Sequence, residues 1–112
     1  MSFDLVFWRS AGEVRVGEAA GIYERLVEGD SGVVAEAEEI AEFYGAIVSV
    51  YPDITVENMD ETPWASPIYW NRECLIVTIS WSRCGEVAPV LVDLSRRYGL
   101  VAYDPQDGVV IV

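Results

Sequence analysis

Over residues 2–9 the side chains alternate, with Phe3, Leu5 and Phe7 on one side and Asp4, Val6 and Trp8 on the other. A period of two predicts a strand with one well-buried face. Residues 10–17 carry two glycines and predict a loop. From 18 to 28, Ala19, Ile22, Tyr23 and Leu26 recur at helical spacing, and Gly29 offers a left-handed stop. A second helix is predicted over 33–50, capped by Asp30 or Ser31 and ended by the Tyr51-Pro52 break. Its apolar arc holds Val33, Ala37, Ile40, Ala41, Tyr44, Ile47, Val48 and Tyr51. Glu38, Glu39 and Glu42 project from the opposite face, beside Ala35, Gly45 and Ala46.

Residues 52–73 show no sustained period and contain Pro52, Pro63 and Pro67, which predicts a long connection of a kind that often carries function. Leu75, Val77, Ile79 and Trp81 then alternate with Ile76, Thr78 and Ser80. Both faces of that strand look partly buried, which places it centrally in a sheet. A third helix is predicted over 86–98, with Val87, Leu91, Leu94 and Tyr98 on one stripe, Arg96 and Arg97 suiting the dipole of its last turn, and Gly99 ending it. Pro89 is tolerable there only near the first turn, and otherwise implies a kink. Strands over 100–103 and 109–112 are joined through Asp104, Pro105, Gln106, Asp107 and Gly108. The expectation is an α/β (α+β) sandwich in one domain over 1–112, in the order strand, helix, helix, strand, helix, strand, strand. A four-stranded sheet would carry its helices on one face, with a ferredoxin-like or related split β-α-β topology preferred.

Composition narrows the chemistry. At 112 residues and 52% hydrophobic the chain can bury a core without metal or disulfide staples. It has no His, and its seven basic residues are all Arg, against nineteen acidic ones, for a formal charge of −12. The usual neutral-pH base, the commonest transition-metal ligand and the Schiff-base amine are therefore missing. Nucleic-acid backbones and anionic membranes are disfavoured partners. An expected strand separates Cys74 from Cys84 by roughly 30 Å, beyond disulfide reach, so both thiols should be free. The N-terminal residues show no signal-peptide pattern, and no stretch has the length of a membrane span, which makes the cytoplasm the expected compartment.

The charge is concentrated. Residues 28–61 hold ten acids and no basic residue, while the segments on either side are each at −1. A solvated face needs no such excess, and uninterrupted like charge opposes folding unless a cationic partner relieves it. Asp53, Glu57, Asp60 and Glu61 lack the alternate spacing and central Gly of a calcium loop. Paired carboxylates for sugar hydrolysis would need a cleft that so short a chain rarely encloses. Trp64, held between Pro63 and Pro67, is expected to plug the core, whereas Tyr69 and Trp70 are candidate interface anchors.

Four features taken together resemble a family of small acidic bacterial proteins similar to the immunity proteins of polymorphic toxin systems. They are Phe3-Asp4-Leu5-x-x-Trp8, Ser66 and Pro67 beside Pro63-Trp64, Trp81-Ser82, and Gly99-Leu100-Val101-x-Tyr103-Asp104-Pro105-Gln106. The resemblance covers most of the chain, and Tyr103-Asp104-Pro105-Gln106 is its most distinctive part. It implies a cytosolic protein that neutralises a toxin domain by binding it, and it transfers no active site. The expectation is thus an inhibitor, not an enzyme, that meets a cationic toxin domain through Glu38, Glu39, Glu42, Asp53, Glu57, Asp60, Glu61, Tyr69 and Trp70. No cofactor, metal, nucleic acid or membrane is expected, and the oligomeric state is left open. The alternative is a protein-interaction or nucleic-acid-mimic regulatory module, or a homo-oligomer joined through the sheet face.

Overall fold

The structure, a computed structural model, describes residues 2–10, 12 and 14–111. Met1, Ala11, Glu13 and Val112, which fall in the expected N-terminal segment, first loop and last strand, lie outside the described residues. Among the described residues five strands form one antiparallel sheet: β1 (Ser2–Trp8), β2 (Tyr69–Trp70), β3 (Cys74–Ser80), β4 (Val101–Asp104) and β5 (Val109–Ile111). Their spatial order is β2-β3-β1-β4-β5. Three helices, α1 (Val16–Val27), α2 (Glu39–Val50) and α3 (Cys84–Arg97), complete the α+β fold, and a single 3-10 turn, Trp81–Arg83, leads into α3. The expected four-stranded sheet is corrected to five, because Tyr69 and Trp70, assigned to a loop, pair with Ile76 and Leu75.

The expectation that all helices share one face is also overturned, and with it the ferredoxin-like arrangement. Leu5, Phe7, Leu75, Val77, Ile79 and Ala102 face α2 and α3, whose Ile40, Phe43, Ile47, Val87 and Leu91 close that core. Val6, Trp8, Cys74 and Tyr103 face the other way, onto Ala19 and Leu26 of α1. The reason lies in β1, which is the middle strand: Leu5, Val6, Phe7 and Trp8 are all fully buried, so each face needs a cover. β3 is interior but not central, and Trp81 leaves it for the 3-10 turn, half-exposed, with its ring tilted against Phe3 at 6.0 Å.

Helix α2 begins six residues later than its periodicity predicts, and neither Asp30 nor Ser31 caps it; Glu38 stands at the cap position without a side-chain hydrogen bond. Residues 32–37 instead pass around the end of the β2–β3 hairpin. The Glu73 carboxylate accepts the N–H groups of Gly32, Val33 and Val34 at 3.0, 3.1 and 3.3 Å, and Ala37 N–H donates to Arg72 C=O at 2.9 Å. Those bonds replace the helical ones the segment would otherwise make. Phe43, outside the predicted arc, is buried at the heart of α2 and meets Phe7 edge-on at 4.8 Å, while Ala41, inside that arc, is exposed.

Candidate protein-interaction site

The Tyr103-Asp104-Pro105-Gln106 motif is used by the fold. Asp104, 6% exposed, accepts the Gln106 N–H at 2.9 Å and the Asp107 N–H at 3.3 Å, closing the β4–β5 turn. The Gln106 side-chain amide accepts the Asp4 N–H at 2.6 Å and donates to the Asp4 C=O at 2.9 Å. Pairing of β1 with β4 stops at Val6 and Tyr103, so this amide supplies the next rung of the ladder.

The ten acids of residues 28–61 separate into distinct groups. Glu39, expected on a free face, is half-buried, and its Oε1 accepts from Arg9 at 2.9 Å; Oε2 is buried without a partner among the described residues. Asp30 pairs with Arg25 at 3.5 Å, and Glu36 loosely with Arg72 at 3.9 Å. Asp53 faces inward: it accepts the Tyr44 O–H at 3.0 Å and the N–H groups of Ile54 and Ile68 at 2.8 and 3.2 Å. Burial, reinforced by that bond to Asp53, pushes the Tyr44 phenol above its ordinary range. Glu28, Glu38, Glu42, Glu57, Asp60 and Glu61 remain exposed, with no Arg within ion-pair distance among the described residues.

Those six do not form one surface. Glu38 and Glu42 sit one turn apart at the N-terminal end of α2. Glu57, Asp60 and Glu61 lie in the loop that follows α2, a helix whose 12 residues span roughly 18 Å at 1.5 Å per residue. There Asn58 braces the loop, donating to Asp53 C=O and accepting the Thr55 N–H, and Val56 and Met59 stand 84% and 57% exposed among the acids. Nothing in the sequence singles out these two apolar residues, because lone apolar residues in a polar loop have no period to place them.

Trp64 and Trp70 follow the same division. Trp64 is 2% exposed, bridges to Ile79, and donates its indole N–H toward the carbonyls of Pro52 and Tyr51 at 3.1 and 3.3 Å, so it seals the C-terminal end of α2 as expected of a plug. The chain then runs along β3 back toward the start of α2. Trp70, 40% exposed, stacks on Tyr44 at 4.9 Å and 22°, so Asp53 holds the ring that supports Trp70. Trp70 lines an open groove of about 440 Å³ with Glu36, Ala37, Glu38, Ala41, Asn71 and Arg72. Its neighbour Tyr69 lines a second, apolar groove on the α1 side with Leu26, Val27, Glu28, Gly29 and Ile76. Of the expected site residues, then, Glu38 and Trp70 come together, Glu42 lies one turn on, Tyr69 lies across the strand, and the loop acids stand apart.

Both cysteines are free thiols. Burial, with the nearby Glu73 charge, pushes Cys74 up to about 11, which leaves it mostly protonated at neutral pH and a weak nucleophile. Among the described residues no three Cys, Asp or Glu gather as a metal site requires, and no helix is long and apolar enough to cross a membrane. No family model matches the chain, and neither does a curated protein or a solved structure.

Proposed function

We propose that this protein binds and neutralises a cationic protein domain, in the manner of an immunity protein, with the N-terminal end of α2 and the Trp70 groove as the contact. One observation carries the reading: after folding, Glu38 and Glu42 are still unpaired among the described residues, and Glu38, with Glu42 one turn on, shares a groove with an aromatic ring half-exposed at the sheet edge. Charge of one sign steers an oppositely charged partner and raises its association rate, while a desolvated aromatic holds it once docked. The Glu36 and Glu38 carboxylates and the Trp70 indole in the groove's lining suit recognition of a basic side chain.

Capture from a lysate of the source cells tests it. The immobilised wild-type chain should retain a basic protein at low salt, and a Glu38→Lys, Glu42→Lys variant with an unchanged circular-dichroism spectrum should associate with that protein at least about tenfold more slowly, a difference that fades at high salt. Co-expression with the captured protein should relieve its toxicity to the cell. Retention of no basic protein, or equal association by the variant, would sink the proposal.

A further inference from the structure

We infer that the outer edge of β2 takes up an extended segment of the partner, with a basic side chain in the Trp70 groove and an apolar one in the Tyr69 groove; this deepens the function proposed above and rests on it. Among the described residues no strand of the sheet lies beyond β2. Alternation along this edge is visible in its hydrogen bonds. The Asn71 N–H bonds back to Cys74 C=O, whereas the Ile68 N–H turns outward to Asp53 and the Arg72 C=O turns outward to the Ala37 N–H. Residues 68 and 72 are thus satisfied by the chain itself. Trp70, midway between them, shares their outward parity, so its N–H and C=O face the open side. Pro67 bounds this gap on one flank and the passing segment 36–38 on the other.

An added strand places consecutive side chains on opposite faces of the sheet. Here the two faces differ. On the α2 side the cross-strand neighbour meets the Trp70 indole, Glu36 and Glu38, a combination of aromatic face and carboxylate that favours Arg or Lys. On the α1 side the next residue meets Leu26, Val27, Tyr69 and Ile76, which favours an aliphatic side chain. Arg72 also lines the Trp70 groove, but its side chain is 86% exposed and its contact with Glu36 is 3.9 Å, so it is easily turned aside. The occupant is therefore a short segment in which basic and aliphatic residues alternate.

The probe is the peptide acetyl-Val-Arg-Val-Arg-Val-amide, titrated into the isotopically labelled full chain and followed by nuclear magnetic resonance. Saturable shifts are expected at the Trp70 indole and backbone amides below about 5 mM peptide, with slowed exchange of the Trp70 N–H. Three controls should bind at least about tenfold more weakly: the same residues in blocked order, Glu in place of Arg, and the peptide N-methylated at both arginines, whose N–H groups face Trp70 in antiparallel pairing. Arg72→Gln, which leaves the Arg72 carbonyl in place, should tighten binding. Equal binding by the N-methylated or blocked peptide, shifts confined to residues 56–61, or no saturable shift would each overturn strand addition. If those results came with charge-dependent capture of a basic protein, the proposed function would stand and only this mode of docking would fall.

Discussion

The indoles of Trp64 and Trp70 are six positions apart in the chain, yet what surrounds each gives it a different task. Trp64 fills the core and has its N–H satisfied by backbone carbonyls, so Trp64→Ala leaves both a cavity and two carbonyls without that donor. A loss of about 3 to 5 kcal/mol is expected in urea denaturation. Trp70 gives up only its stacking on Tyr44, and Trp70→Ala should cost about 1 kcal/mol while abolishing binding at the groove. Comparable losses from the two substitutions would show that Trp70 is a core residue. The role of Trp64 was legible because two prolines rigidly frame an aromatic. The roles of Glu39 and Asp53 were not, since the groups that claim them, Arg9 and the Ile68 N–H, are 30 and 15 residues away.

At the scale of elements, Glu73 joins the β2–β3 hairpin to the segment that precedes α2. The Gly32 N–H, with those of Val34 and Val33, holds its carboxyl below the usual carboxylate range despite partial burial. A carboxyl whose folded value is depressed contributes stability above its unfolded value, and that contribution disappears as pH falls through the folded value. Wild type should therefore be more stable than Glu73→Gln at pH 7, with the gap closing below about pH 4. Urea denaturation of both proteins from neutral to acid pH reads it directly; a gap independent of pH would mean that the ionised form is not what the three amides recognise. The same contacts explain the late start of α2: residues 33–38 have helical periodicity, but they must carry the chain from the α1 face of the sheet to the α2 face, and a helix there would lose the Glu73 anchor.

For the molecule as a whole, an excess of acid on one segment works against compactness. Raising the ionic strength from about 0.01 to about 0.15 M shortens the Debye length from about 30 to about 8 Å, which uncouples the two acidic ends of α2 from each other. The melting temperature of wild type should rise by a few degrees, under about 1 kcal/mol, and that of the Glu38→Lys, Glu42→Lys variant should rise less. Equal salt responses in differential scanning calorimetry would mean that these two acids do not repel the rest. Binding of the basic partner should have the same stabilising sign as salt and be weakened by it, a pairing that separates partner recognition from simple screening.

The sequence by itself determined what is local. Period-two runs marked β1 and β3, the turn-forming residues 104–108 between two short apolar runs marked the terminal hairpin, period 3.6 marked the three helices, and Gly29 and Gly99 stop α1 and α3 with φ of 83° and 68°, conformations that glycine adopts without strain. The charge excess of residues 28–61 and its lack of any basic residue were also evident from composition alone. Only the tertiary structure decided what depends on neighbours distant in the chain. Two apolar faces on β1 require two helical layers, but periodicity does not say which helix goes where. A two-residue strand such as β2 is too short to show a period, so only pairing with β3 reveals it. Ten acids that look alike in a row were sorted by position into ion pairs, an internal tether and separate free groups, because the cost of burying a charge and the gain from pairing it depend on surroundings that the fold creates.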